Sequence, residues 1–297
     1  MPFLSSLLHQ EDKKSYYFMA GLPRSGSTLL SSLLNQNPEI YSGPSSPVLS
    51  TMYTLQSTLS EDELYKSYPK PEQASAMVSD VINHYYADVE EKIVIDKNRG
   101  WTSSFGMARG FITPNPKVIV PVRDVSEILV SFLTMIKRNP YQEGQEKINF
   151  VDENLVKMGV PINDRERCMF LVNNGIVGSS LGSVKECLEN GEWMNCHFVE
   201  YQQLVDHPQV TMNKLYKFLE LESFEHDFDN VENVHREKDQ EQYGLADMHY
   251  VRPKVKSTAP NPADVLPEDL LEDCKQLDFW RHTPYTQGVQ QLPRIVT

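Results

Sequence analysis

Read for its apolar and polar positions, the chain falls into short buried runs separated by amphipathic stretches. "SYYFMAG" is an apolar, aromatic run closed by glycine and predicts a buried strand. "SGSTLLSSLLNQ" follows, with Leu29, Leu30, Leu33 and Leu34 forming a helical stripe against a sheet. "KIVID", "NPKVIVPVRD" and "CHFVEY" predict three more buried strands. Helical patterns lie between and after them: residues 61–91 with a break near "YPKP", "WTSSFGMARGFI", "VSEILVSFLTMIKRN", one long stretch "DRERCMFLVNNGIVGSSLGSVKECLEN", and 209–220. Segment 140–162 is polar and punctuated by Pro and Gly, which predicts a surface excursion. Beyond about 222 the chain turns charged and irregular until "PEDLLEDCKQLDFW".

Strands alternating with helices imply βαβ units. The expected fold is α/β, P-loop-like, three layers deep, with a central parallel sheet flanked by helices. A length of 297 residues suits one large core. We expect a single domain over 1–297, with the core at about 16–222 and a C-terminal lid or loop region at about 223–297. No internal repeat or low-complexity tract is visible.

Composition narrows the partners. Hydrophobic residues make up 40% and charged residues 23%, ordinary for a globular protein. A formal net charge of −13 argues against nucleic acid, which requires a clustered basic face. Cys168, Cys187, Cys196 and Cys274 form no C-x-x-C, so neither a zinc site nor a disulfide framework is expected. No run approaches the roughly 20 apolar residues of a membrane helix, and "MPFLSSLLHQEDKK" lacks the basic start of a signal peptide. The expectation is a cytoplasmic protein with no membrane partner.

The chemistry concentrates in "GLPRSGST", residues 21–28. Its spacing is that of a phosphate-binding loop, G-x-x-x-x-G-K-[ST], with Ser27 where Lys is usual. Such a loop aims backbone N–H groups at one point, and the helix N-terminus adds partial positive charge. Ser25, Ser27 and Thr28 can add hydroxyls. The missing Lys argues against a triphosphate, because that Lys reaches the β- and γ-phosphates. Arg24 supplies a cation inside the loop instead.

This loop resembles the 5′-phosphosulfate-binding loop of sulfotransferases. It is closest to the tyrosylprotein sulfotransferase-like branch, whose loop reads P-R-S-G-T-T-L. The resemblance implies 3′-phosphoadenosine-5′-phosphosulfate as co-substrate, no metal, and nucleotide contacts from Pro23, Arg24, Ser25, Gly26, Ser27 and Thr28. "VPVRDVSEILVSFL" is similar to the family's V-R-D strand end with a serine eight residues after the arginine. It implies that Arg123 and Ser131 clamp the 3′-phosphate. Ser131 lies seven residues past Asp124, about two helical turns, so the geometry is consistent. "VIDKNRG" stands where the branch has N-K-D-P, and Lys97 takes the place of the lysine that stabilises the transferring group; a plain solvated lysine is the competing reading. "VEYQQLVDHP" is similar to Y-x-Q-L-V-x-H-P and makes Tyr201 a nucleotide contact. "MHYVRPKVKS" loosely matches a closing basic loop, through Arg252 and Lys254, beside Lys256.

The implied reaction is sulfuryl transfer to a hydroxyl or amine on a small-molecule, carbohydrate or peptide acceptor, with Arg24 and Lys97 as the catalytic cations. One departure stands out. The branch's G-E-E-T-R, which carries the proton-accepting glutamate, reads "SGPSSP" here, with Pro44, Ser45, Ser46 and Pro47 in its place. Glu39, Asp96, His84 and His249 are candidate substitutes without positional support. Two other readings remain open: an ATP- and magnesium-dependent phosphotransferase, favoured by Asp96 at the end of "IVID", and a non-catalytic nucleotide-binding protein.

Overall fold

The computed structural model describes residues 14–140, 148–257 and 260–281. The apolar start at 1–13 and residues 141–147 of the expected excursion lie outside the described residues.

Five strands build one sheet: β1 (Ser15–Met19), β2 (Ile40–Ser45), β3 (Ile93–Lys97), β4 (Val118–Val122) and β5 (Cys196–Glu200). Their order is β2-β3-β1-β4-β5, and every pairing is parallel. Alternation along each strand sends side chains to opposite faces. Phe18, Val94, Val118, Val120 and Phe198 join one buried cluster; Met19, Ile95, Ile119 and Val199 join the other. Both faces are covered, as a parallel sheet requires. Each fully buried aliphatic or aromatic side chain contributes about 1.5–3 kcal/mol to that arrangement.

The helices follow in order: α1 (Ser27–Leu34), α2 (Val48–Glu61), α3 (Glu63–Ser67), α4 (Pro71–Tyr85), α5 (Phe105–Phe111), α6 (Val125–Arg138), α7 (Phe150–Met158), α8 (Asp164–Asn173), α9 (Ile176–Glu189), α10 (Tyr201–Asp206), α11 (Pro208–Leu219), α12 (Asp239–Tyr243) and α13 (Glu268–Leu277). Among the described residues no helix is long and apolar enough to cross a membrane. All four cysteines are buried free thiols.

Three expectations are corrected. The sheet has a fifth strand, β2, whose sequence "IYSGPS" is not among the four strands expected from the pattern. It survives because it is an edge strand with a register irregularity between Ser42 and Ser45, where Pro44 need not donate to a ladder. The stretch 164–189 is two helices, not one, broken at Asn174–Gly175. A Cβ at Gly178 would sit 1.8 Å from the Val172 carbonyl oxygen, so only glycine lets α9 fold back this closely on α8. The 140–162 excursion contains α7, capped by the Asn149 side chain, which accepts from the Asp152 N–H.

Candidate active site

Ligands of an open parallel sheet bind beyond the carboxyl ends of its strands, where the chain switches direction of travel. Here β1 sits between β3 and β4, so the loops leaving those three strands share one edge. The loop after β1 is locked before it begins. Leu22 N–H donates to the Pro121 carbonyl at 2.9 Å. Ser25 is buried and its hydroxyl donates back to the Leu22 carbonyl at 2.5 Å. That hydroxyl is engaged inside the loop in this conformation.

Two loop residues adopt left-handed backbone, Arg24 at φ 58 and Gly26 at φ 85. Arg24 is not a glycine, and such a conformation costs on the order of 1–3 kcal/mol. The gain is direction: its side chain turns to Ser131 and to the Met248 carbonyl. Nε donates to Ser131 Oγ at 3.1 Å, and Nη1 donates to the Met248 oxygen. Gly26 opens α1 with no side-chain cap and no acidic residue in the first turn. The first N–H groups of that helix are left for an external anion.

Two cavities adjoin this loop. The first, about 140 Å³, is walled by Pro23, Arg24, Gly26, Ser27 and Thr28 of the loop, by Arg99, Arg123 and Tyr201, and by the segment from Met248 to Lys256 without Pro253. Among the described residues its walls carry Arg24, Arg99, Arg123, Arg252, Lys254 and Lys256 and no carboxylate. The second, about 380 Å³, shares Arg24, Arg123, Tyr201, Tyr250 and Arg252 with the first and adds Ser131, Thr134 and Arg138. The structure thus brings together Arg24, Arg123, Ser131, Tyr201 and Arg252, residues spread over more than two hundred positions.

Arg123 is 6% exposed and held from three sides. Nε donates to Glu127 at 2.7 Å, Nη1 donates to the Arg24 carbonyl at 3.1 Å, and the guanidinium lies 4.1 Å from the Tyr201 ring centre. Burial first, and then the neighbouring Arg123, lower the Arg24 guanidinium to about 10, with Asp239 and Tyr201 opposing. It stays charged at neutral pH. Gathering cations away from water costs free energy that an anion would offset.

Lys97 is buried rather than solvated. It is 7% exposed and is not among the described residues walling either cavity. Burial lowers its ammonium, while the Glu237 carboxylate opposes that shift. Arg99, two residues on in the 3₁₀ turn Arg99–Ser103, reaches the cavity wall instead. Sequence reasoning passed over Arg99; the signal was a second cation in Lys97-Asn98-Arg99 at a strand end. Lys254 does wall the first cavity, but its ammonium pairs with Asp229 at 2.6 Å on the surface.

Asp96, which favoured a magnesium enzyme, is fully buried and engaged. Oδ1 accepts from Trp101 Nε1 at 2.6 Å; Oδ2 accepts from Tyr86 at 2.7 Å and from the Ser46 hydroxyl. Its carboxylate ties the sheet to α4 and the loop around it and offers no open face to a metal.

A loop, an uncapped helix start and a ring of cations at the end of a parallel sheet define an anion-binding α/β protein of the P-loop-like class. Comparison with known families makes this specific: the sulfotransferase domain model matches residues 14–252, and the chain belongs to that family. Over 216 residues it is 26% identical to protein-tyrosine sulfotransferase A of Caenorhabditis elegans, covering 69% of this chain and 50% of that protein. It is 24% identical to the protein-tyrosine sulfotransferase of Drosophila melanogaster over 209 residues, covering 69% of this chain and 38% of that one. The chain therefore spans half or less of the curated relatives it matches. Among solved structures, the sulfotransferase domain from the curacin biosynthetic pathway aligns with TM-score 0.45 at 19% identity, over 72% of this chain and 75% of that one.

Proposed function

We propose that the protein transfers a sulfuryl group from 3′-phosphoadenosine-5′-phosphosulfate to a hydroxyl or amine acceptor. The observation that carries this reading is the carboxylate-free, cation-walled cavity over an uncapped helix start, in a chain whose net charge is −13. The 5′-phosphosulfate would lie on the N–H groups of Gly26 to Thr28, with Arg24 facing the oxygen between sulfur and phosphorus, where negative charge grows during transfer. Ser27 and Thr28 hydroxyls would add donors. Arg99 lies in the same wall, and Lys97 adds positive charge from behind it. The 3′-phosphate would meet Arg123 and Ser131. The Ser131 hydroxyl accepts from Arg24, so its own proton is free to be donated to phosphate. Arg252 borders both cavities and would close over them. The acceptor class is a small molecule, carbohydrate or peptide.

The magnesium phosphotransferase reading is weakened by the occupied Asp96 and by Ser27 in place of Lys. Calorimetric titration with adenosine 3′,5′-bisphosphate and with ATP–magnesium separates the two. We expect tighter binding of the bisphosphate, and we expect Arg123→Ala to weaken it by about ten- to a hundredfold, the loss typical of a buried charge-assisted contact. Preference for ATP–magnesium would overturn the assignment.

A further inference from the structure

The segment Pro44 to Pro47 holds no acid or imidazole, so the group that removes the acceptor's proton must come from elsewhere. A cluster at the mouth of the first cavity has the required form. His249 stands in the cavity wall next to Met248, the residue whose carbonyl receives Arg24. His249 Nδ1 lies 2.6 Å from Asp239 Oδ1 and 2.5 Å from Glu237 Oε2. The second Asp239 oxygen accepts the backbone N–H of His249 at 2.8 Å, so one carboxylate fixes both the ring and its main chain. Burial pushes the Glu237 carboxyl up, but His249, Lys97 and the Ser45 N–H outweigh it and hold it below its usual range. Glu237 thus arrives, from nearly two hundred residues away, against the very segment that lacks an acid.

Two carboxylates on one ring nitrogen require that nitrogen to carry the hydrogen. Nδ1 is therefore the donor, and Nε2 is the ring nitrogen with no hydrogen-bond partner among the described residues. The carboxylates are balanced by nearby cations: Lys97 and Arg99 face Glu237, and Arg24 faces Asp239. Tyr243 packs against the ring at 5.9 Å.

We propose that His249 is the general base of the transfer, with Asp239 and Glu237 as positioning residues that hold its tautomer. The inference rests on the sulfuryl-transfer reading above. Nε2 takes the proton of the acceptor hydroxyl as the acceptor oxygen bonds to sulfur. The bond from sulfur to the oxygen bridging to the 5′-phosphate breaks, and its electron pair stays on that oxygen. Adenosine 3′,5′-bisphosphate leaves, and the imidazolium returns its proton to solvent.

The test uses the full chain with His249→Gln, His249→Ala and Asp239→Asn. Binding of adenosine 3′,5′-bisphosphate by calorimetry reports the donor site and the fold. Transfer from sulfur-labelled donor to water and to a panel of phenols and aliphatic alcohols reports the chemistry. Both His249 variants should bind the nucleotide about as wild type does and lose transfer by about 10²–10⁴-fold, the usual contribution of a general base. The loss should be greatest for the least acidic hydroxyls, and added imidazole should restore part of it in His249→Ala. Nitrogen NMR of the wild type should show Nδ1 protonated and Nε2 bare; Asp239→Asn should disturb that ratio and lower turnover without changing KM. Transfer by His249→Gln at a tenth of wild-type rate or more, the opposite tautomer, or transfer that a chelator abolishes and a divalent metal restores would each overturn the proposal. So would a wild-type protein that binds the nucleotide but transfers to nothing. Wild-type protein that fails to bind the nucleotide would instead remove the donor reading on which the proposal stands.

Discussion

Gly26→Ala probes the loop more directly than loss of any of its cations. Gly26 has φ 85, and a Cβ there would lie 2.8 Å from Tyr201 Cδ2 and 3.3 Å from Cε2. Two penalties follow, and they act on different observables. The left-handed backbone costs an alanine about 1–3 kcal/mol, which lowers global stability. The clash pushes the Tyr201 ring, which lies 4.1 Å from the Arg123 guanidinium. Losing that stacking costs about 0.5–2 kcal/mol, or roughly 2- to 30-fold in affinity for a ligand that Arg123 holds. Calorimetric titration with adenosine 3′,5′-bisphosphate reads the second, and urea unfolding reads the first. Tyr201→Ala alone should show the affinity loss with little of the backbone penalty. The double variant should bind like Tyr201→Ala, because the ring is no longer there to be pushed, while keeping the stability loss of Gly26→Ala. Simple addition of the two affinity losses would show that the loop and the arginine are not coupled through the ring. Unchanged affinity and stability in Gly26→Ala would refute the geometry itself.

Asp96→Asn should destabilise the protein by at least about 1–3 kcal/mol in urea, since an amide cannot accept from Ser46, Tyr86 and Trp101 together; an unchanged midpoint would show that the carboxylate is not the tie described. His197 is buried against Phe218 and near Lys214; burial lowers its imidazole to about 4. Its folded pKa lies below the unfolded value near 6.5, so the stability it carries is present above about pH 6.5 and is lost as pH falls toward 4. Between pH 7.5 and 5 the wild type should therefore lose about 2 kcal/mol more than His197→Phe, and equal losses would remove His197 from the account of acid sensitivity.

The central strands and the phosphate loop were legible because their signals are local. A buried strand between two sheet neighbours must be apolar on both faces, and "VIVPV" has no polar position to confuse it. Arg123 and Ser131 were legible as a pair only through the family resemblance; the helix adds that Ser131 lies about two turns past Asp124, which is consistent with it. The edge strand was hidden because its Gly and Pro are tolerated by an unpaired side, and sequence carries no mark of being at an edge. Lys97 and Arg99 show a different limit. Lys97 ends β3 and Arg99 opens the 3₁₀ turn after it, and only that turn decides which one enters the cavity. His249 could be named from sequence but not placed. Its significance depends on Glu237 and Asp239 at the approach to and first position of the short α12, and on β2 ending beside Glu237, and such convergence has no periodicity to read.

The main-chain bond from Leu22 to Pro121 has a consequence for selectivity. The glycine loop leaves β1 and Arg123 follows β4, and a direct backbone link joins the two exits. Their separation is therefore a strand-to-strand repeat, about 4.8 Å per step across a sheet, and not a product of adjustable side chains. On the donor reading proposed above, the sheet would then set the gauge between the two phosphates, and a nucleotide with its second phosphate on another ribose carbon should bind more weakly whatever side chains line either end.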